Sequence, residues 1–197
     1  AGRNDKSFDN LAALLKEGYR AVKDCSPKTL VMLHLDNGGK NEMYRWWFDT
    51  VIEQGVSFDL IGASYYPYWH GTLADLQNNL NDVAIRYDKD ILLVETAYAF
   101  TADDNDNYEN IIRTEEQPGY PFTPDGQAKI LADIMDVIRA IPNGRGLGVM
   151  WWDATWTAVP GNGWDPAQPT SGNNWENQAL FDYDNRALPA MSLFNKL

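Results

Sequence analysis

The stretch Ile91–Tyr98 reads Ile-Leu-Leu-Val-Glu-Thr-Ala-Tyr, four consecutive aliphatic residues directly before a carboxylate. A short apolar run bounded by polar residues is typical of a strand that is buried on both faces. Glu95 then stands where this strand leaves its sheet. Because the carboxyl ends of parallel strands line the active site in α/β proteins, Glu95 is a candidate for chemistry. A glutamate that simply begins a loop fits the same stretch.

Outward from this strand, hydrophobic periodicity and capping signals predict alternating helices and strands in the order α-β-α-β-α-β-α-β-α. The other predicted strands are Thr29–Leu35, Phe58–Ser64 and Gly146–Trp152. The predicted helices run from a cap at Asp5 or Ser7 to near Asp24, through Met43–Ile52 with Gly55 after the end, from about Thr72 to Tyr87, from Asp125 to about Ile141, and from about Ala187 to Lys196.

Loop lengths indicate the fold class. Long loops follow the strands and short turns precede them, which puts irregular chain on one face only, as in a (β/α)8 barrel. A full TIM barrel needs eight strands and about 250 residues, whereas this chain of 197 residues predicts four. A small open α/β sheet remains an alternative, but no Gly-rich phosphate loop supports its nucleotide-binding version. We favour the second half of a barrel, strands five to eight with their helices.

Composition excludes several classes of function. The net charge is −12, and the absence of a Lys/Arg cluster also argues against a nucleic-acid surface. No apolar stretch approaches the roughly 20 residues of a membrane span. The lone Cys25 excludes an intrachain disulfide or a cysteine-based metal cage, and two histidines are too few for a His-rich metal site.

Aromatic residues concentrate beside the loops that follow the strands. Trp and Tyr rings stack on the C–H faces of sugars, and carboxylates hydrogen-bond sugar hydroxyls, so this edge predicts a site for a neutral, hydroxyl-rich ligand. Core packing is the alternative interpretation for any tryptophan. The tryptophans that we expect to contact ligand are Trp69, Trp152, Trp156 and Trp175.

Five ordered motifs across the chain carry a family resemblance. They are His34-Leu-Asp-Asn-Gly38, Gly62-Ala-Ser-Tyr-Tyr-Pro-Tyr-Trp69, Val94-Glu-Thr-Ala-Tyr98, Gly148-Val-Met-Trp-Trp152 and Trp175-Glu-Asn-Gln-Ala-Leu-Phe-Asp182. Together they resemble the second half of glycoside hydrolase family 53, the endo-β-1,4-galactanases that cut the galactan and arabinogalactan side chains of pectin. The resemblance implies that residues 1–197 form a single, partial catalytic domain.

The resemblance assigns roles by position. Glu95 would be the nucleophile of a retaining double displacement, and Tyr66 would hydrogen-bond it. Trp152 would form the floor of the subsite where the bond is cleaved. The further residues assigned to sugar contacts are Asp36, Ser64, Trp69 and Asp182.

One part of the family pattern is missing from the chain. The acid/base glutamate of the family lies in a Gly-Asn-Glu motif upstream of the residues that resemble Ala1–Arg3. We therefore expect this chain alone to be inactive or nearly so and the complete protein to be the enzyme. The alternatives are a hydrolase of the same clan that cuts another β-glycan, and a non-catalytic carbohydrate-binding module.

An Asp/Asn-rich loop after the Glu95 strand suggests a structural calcium site, since alternating oxygen side chains suit this cation. Family members from bacteria bind calcium between the loops after strands seven and eight. The resemblance implies six ligands: Asp104, Asp106, Tyr108, Asn110, Ser171 and Asn174. A solvated acidic loop is the alternative.

The remaining expectations concern the histidines and the surroundings of the protein. His34 is expected to be a buried, hydrogen-bonded core residue, and His70 to lie on the rim, where it could contact sugar. A half barrel leaves open edge strands, so we expect pairing with a missing amino-terminal half or with a second copy. A polymeric substrate implies a secreted, cell-surface or periplasmic protein.

Overall fold

The computed structural model describes residues 8–106, 108–161, 163, 165, 167, 168 and 170–196. Within these residues, no helix combines the length and the apolar character that crossing a bilayer requires.

The centre of the molecule is a parallel sheet whose strands lie side by side in chain order. Its strands are β1 (Met32–Leu35), β2 (Leu60–Ser64), β3 (Asp90–Glu95) and β4 (Gly146–Val149). All four predicted strands are therefore confirmed, although β1, β2 and β4 are shorter than predicted. Register shifts interrupt the ladder next to Ser64 and next to Leu92. Parallel pairing places all four carboxyl ends at one edge of the sheet.

Helices alternate with the strands as predicted. They are α1 (Asp9–Cys25), α2 (Asn41–Glu53), α3 (Leu73–Tyr87) and α4 (Pro124–Arg139). Thr72 caps α3 in a reciprocal capping box with Asp75, and Thr123 caps α4 by accepting the Gly126 N–H. The predicted caps of α1, Asp5 and Ser7, lie outside the described residues.

The last predicted helix differs from its expected form. Residues Pro189–Lys196 form a 3₁₀ helix, not an α-helix, and the Met191 N–H bonds to the Leu188 carbonyl three residues earlier. The segment packs against α4. The segment that contacts α4 is therefore wound more tightly, as a 3₁₀ helix, than the α-helix that the apolar periodicity predicted.

The two faces of the sheet differ in how well they are covered. Ile61, Ile91 and Leu93 are fully buried in the hydrophobic core. On alternate positions of the strands, His34 is exposed and Leu92 is only partly buried. A parallel sheet is normally covered on both faces, so the second face of this sheet has the exposure that the half-barrel prediction implies.

Candidate active site

Glu95 and Tyr66 meet at the carboxyl edge of the sheet. Glu95 ends β3 opposite Ser64 of β2, and its carbonyl accepts the Tyr65 N–H at 2.8 Å. The Tyr66 hydroxyl donates to Glu95 Oε2 at 3.1 Å. The two neighbouring strands thus position a carboxylate and its hydrogen-bond donor together.

The Tyr66 hydroxyl is a hydrogen-bond donor at neutral pH, as the ordinary tyrosine pKa of about 10 already ensures. Burial raises the pKa of the Tyr66 hydroxyl well above its usual range, and the nearby charge of Glu95 raises that pKa further. The hydroxyl therefore retains its proton at neutral pH and donates a hydrogen bond to the carboxylate. This hydrogen bond restricts the orientation of Glu95.

Two tryptophan rings pack against Tyr66, and a third tryptophan, Trp152, follows β4 at the same edge. Trp69 is 49% exposed and Trp152 is 46% exposed, so both offer accessible faces. Trp175 is buried, in contrast to the expected ligand contact, and its ring packs edge-on against Tyr66. Its Nε1–H donates to the Trp152 carbonyl at 3.0 Å. Trp175 therefore supports the residues that line the site, and Trp156, also expected to contact ligand, is partly buried.

Asp36 and Ser64 lie beside the same edge, each paired with a histidine. Asp36 Oδ1 is 3.2 Å from His70 Nε2, and the Ser64 hydroxyl is 2.6 Å from His34 Nε2. His34 makes the expected hydrogen bond but is exposed, because the second face of the sheet is open there. His70 was expected on the rim and is instead buried, at 5% exposure.

Asp182 occupies a different local setting. Its Oδ1 accepts the backbone N–H groups of Asp184 and Arg186, and its own N–H donates to the Arg186 carbonyl. These bonds give Asp182 a turn-forming role, and its contact with sugar stays a prediction.

A second acidic cluster joins the loops after β3 and β4. One carboxylate oxygen from each of Asp104, Asp106 and Glu176 lies within 4.8 Å of the others. Glu176 is fully buried, its Oε1 accepts the Asn105 N–H at 2.6 Å, and its Oε2 has no hydrogen-bond partner among the described residues. Burial raises the pKa of Glu176 to about 7, and the charges of Asp106 and Asp104 contribute to this shift.

The other expected calcium ligands lie in the same two loops. Asn110 is buried, and its Oδ1 has no partner among the described atoms. The Tyr108 N–H donates to Asp106 Oδ1 at 2.8 Å. Ser171 Oγ accepts the Asp165 N–H, and the Asn174 carbonyl accepts the Ile111 N–H. The loop after β4 approaches Asp106 through the Asn173 N–H, which donates to Asp106 Oδ2.

Sequence reasoning missed Glu176 and its two neighbours. Asn177 Nδ2 donates to the carbonyls of Thr101 and Ile112, and Gln178 Oε1 accepts the Tyr68 hydroxyl. Three consecutive polar residues that are fully buried thereby bind the loops after β2 and β3. Their adjacency to Trp175 was the available signal, but polar residues in a long loop ordinarily predict solvent exposure.

The parallel direction of the strands and the position of Glu95 at a strand end define the class of this protein. It belongs with α/β-barrel proteins, whose functional side chains stand at the carboxyl ends of parallel strands. The comparisons make the class specific: the family model for Glycosyl hydrolase family 53 matches residues 1–194. The chain belongs to this family.

Individual relatives agree with the family match. The chain is 40% identical to the "Uncharacterized protein in bgaB 5'region" of Niallia circulans, over 95% of this chain and 51% of that protein. It is 32% identical to the endo-beta-1,4-galactanase of Bacillus subtilis (strain 168), over 98% of this chain and 51% of that protein. The solved Ignisphaera aggregans GH53 catalytic domain superposes with a TM-score of 0.88 at 43% identity, over 95% of this chain and 52% of that structure. This chain therefore spans about half the length of these relatives, and its fold is the second half of a TIM barrel.

Proposed function

We propose that this chain supplies the nucleophile-bearing half of a retaining endo-β-1,4-galactanase that acts on galactan side chains of pectin outside the cell. The observation that carries the proposal is the hydrogen bond from the Tyr66 hydroxyl to Glu95 Oε2 at the carboxyl edge of the sheet. Membership of family 53 supports the reaction class. A galactan substrate is supported by the names of relatives, among them the endo-beta-1,4-galactanase of Bacillus subtilis.

The geometry suits a double displacement. The Glu95 carboxylate attacks the anomeric carbon while the glycosidic oxygen leaves with a proton from a carboxylic acid, and a covalent glycosyl-enzyme ester forms. Water, deprotonated by the same acid/base residue, then releases the sugar and frees Glu95. Tyr66 holds the attacking carboxylate, and the exposed faces of Trp69 and Trp152 are suited to stacking on sugar rings.

The acid/base carboxyl is proposed to come from an amino-terminal half that completes the barrel. Retaining hydrolysis places the two carboxyl groups about 5–5.5 Å apart. The expected position of this glutamate precedes the residues that match Ala1–Arg3, in keeping with a chain that covers about half of each relative. Activity accordingly belongs to the complete catalytic domain.

The test is release of reducing ends from unbranched β-1,4-galactan by the complete protein that carries this chain. Replacing the nucleophile in Glu95→Ala should lower the rate by about 10⁴-fold or more. Asp90→Asn is the matched control, because Asp90 stands at the opposite end of the same strand and pairs with Arg145. Binding of galactan without turnover in the wild type would favour a carbohydrate-binding module, and cleavage of another β-glycan would place the substrate elsewhere in the clan.

We also propose that the acidic cluster binds a structural calcium ion. Asp104, Asp106 and Glu176 supply oxygen ligands of the kind that this cation prefers, and the unpartnered Glu176 Oε2 gives a buried acceptor for it. When bound, the ion would neutralise repulsion among three carboxylates and join the loops after β3 and β4. The proposal revises the ligand set implied by the resemblance, since Glu176 enters it.

Thermal unfolding with calcium or with chelator tests this site. A ligand at 100 times its Kd stabilises the folded protein by about 2.7 kcal/mol, so calcium should raise the Tm of the wild type and not that of Asp106→Asn. Asp103→Asn is the control, because it removes a charge from the same loop at an exposed side chain. Equal Tm values with calcium and chelator would contradict the proposal.

A further inference from the structure

His70 connects the loops after β1 and β2 through its two ring nitrogens. Nδ1 accepts the backbone N–H of Tyr66 at 3.1 Å, and Nε2 is 3.2 Å from Asp36 Oδ1. The residue is 5% exposed, so its ring is almost entirely enclosed by these loops. A histidine in this position contacts both a candidate sugar-binding carboxylate and the backbone of the nucleophile's partner.

These contacts select one tautomer. Because the Tyr66 N–H points at Nδ1, that nitrogen carries no proton, and the neutral ring holds its proton on Nε2 for donation to Asp36. The Ser64 carbonyl lies 3.3 Å from Nδ1, a longer contact than the 3.1 Å hydrogen bond from the Tyr66 N–H, which approaches Nδ1 with its hydrogen. Burial lowers the pKa of His70 below its ordinary value, against the opposing effect of Asp36, in keeping with a neutral ring.

Each end of this link leads into the site. The Tyr66 backbone that His70 holds carries the hydroxyl that donates to Glu95. Asp36 Oδ1 also accepts the Asn37 N–H at 2.7 Å, while most of its side chain remains exposed toward solvent. The two loops touch directly, because a Cβ added at Gly39 would lie 2.0 Å from the His70 carbonyl oxygen.

We propose that His70 is a positioning residue that sets the nucleophile's tyrosine partner and the Asp36 carboxylate relative to each other. The proposal rests on the proposed function, since it gives Asp36 a contact with sugar and Glu95 the attack. His70 acts through both neighbours without contacting the reacting atoms. Its acceptor end serves the chemical step through Tyr66, and its donor end serves substrate binding through Asp36.

Two substitutions separate these ends. The carboxamide of His70→Asn can replace Nδ1 as the acceptor for the Tyr66 N–H but does not reach Asp36, whereas the longer His70→Gln can reach Asp36 and loses that acceptor. With unbranched β-1,4-galactan and the complete protein, His70→Asn should keep kcat and raise KM about tenfold. His70→Gln should keep KM and lower kcat about tenfold, the factor that corresponds to one lost interaction.

The control is Tyr87→Phe, which removes a side-chain hydrogen bond to Asp49 away from the carboxyl edge of the sheet and should leave kcat and KM at their wild-type values. Equal falls in kcat and equal rises in KM in both His70 variants, accompanied by equal falls in Tm, would reduce His70 to a structural role and overturn the proposal. Opposite kcat and KM effects in the two variants support it.

A spectroscopic measurement is independent of galactan cleavage. In the ¹⁵N-labelled complete protein at pH 7.5, long-range ¹H–¹⁵N spectra should show His70 as the neutral Nε2–H tautomer, and His70→Asn assigns the signal. A proton on Nδ1, or a charged ring, would overturn the proposal. If the wild type does not cut galactan, the proposed function fails, and the tautomer still tests whether His70 makes this link.

Discussion

At the scale of single residues, the site depends on where two protons reside. The Tyr66 hydroxyl is buried beside the Glu95 carboxylate. The phenol keeps its proton and donates a hydrogen bond to the carboxylate. The Tyr66 ring also packs against Trp69 and Trp175 at centroid distances of 5.9 and 5.8 Å. The hydroxyl and the ring therefore have separable roles, one electrostatic and one in packing.

Tyr66→Phe should separate these roles. Hydrogen bonds to charged groups contribute about 1.5–3 kcal/mol, so kcat on galactan should fall about 10- to 100-fold, while the retained ring keeps the Tm close to that of wild type. Tyr87→Phe is the matched control, because it removes a hydroxyl that bonds Asp49, between two helices. Undiminished kcat in Tyr66→Phe would show that the hydroxyl does not orient the nucleophile.

The second proton belongs to His70 and predicts a pH dependence of stability. Burial lowers the pKa of His70, Asp36 and Glu95 oppose that shift, and Lys40 adds to it. A folded-state pKa below the unfolded value of about 6.5 gives stability that is present above pH 6.5 and lost as pH falls through the folded-state pKa.

Urea unfolding at pH 7.5 and pH 5.0 measures this contribution. The loss of unfolding free energy between the two pH values should be smaller in His70→Asn than in wild type. Asn78→Ala, at an exposed position of α3, is the control and should retain the wild-type loss. An identical loss in wild type and His70→Asn would contradict the prediction.

At the scale of elements, buried side chains hold long loops in place. Asn177 donates to the carbonyls of Thr101 and Ile112, and the Phe100 N–H donates to the Asn177 carbonyl. Backbone carbonyls in an irregular segment need partners when they are buried. A single asparagine therefore fixes both ends of the segment that carries Asp104 and Asp106 of the acidic cluster.

Asn177→Ala should destabilise the fold by about 1–3 kcal/mol, because two buried carbonyls lose their donor. The fall should appear in urea unfolding and as faster proteolytic cleavage within residues 101–112. Asn78→Ala, at an exposed position of α3, is the control and should leave stability nearly unchanged. Unchanged stability and protease resistance in Asn177→Ala would show that other contacts hold the loop.

At the scale of the whole molecule, the sheet ends in two open strands. β1 and β4 form the edges, and exposed His34 marks the uncovered face. Open parallel edges favour pairing with another chain segment. Closure of a barrel, which relatives of about twice this length can provide within one chain, would remove both edges.

Analytical ultracentrifugation of this chain should therefore show concentration-dependent self-association. Adding the amino-terminal half of a family 53 catalytic domain, such as that of Ignisphaera aggregans, should shift the chain into a 1:1 complex. A stable, monodisperse monomer across the concentration range would contradict this prediction.

The order of elements was predictable from the sequence because it depends on local signals. Apolar runs marked β1 to β4, Thr72 marked the start of α3, and the run before Glu95 placed that carboxylate at a strand end. The five motifs also indicated family 53 and the nearness of Tyr66 to Glu95. Each of these inferences uses residues close together in the chain or a pattern of short motifs.

Tertiary structure decided what local signals do not contain. Glu176 joins Asp104 and Asp106 only because the loop after β4 folds onto the loop after β3. His70 is buried because the loops after β1 and β2 touch, whereas His34 is exposed because the second face of its sheet is open. Burial and pKa depend on groups that are distant in sequence, so these properties emerge only when the chain has folded.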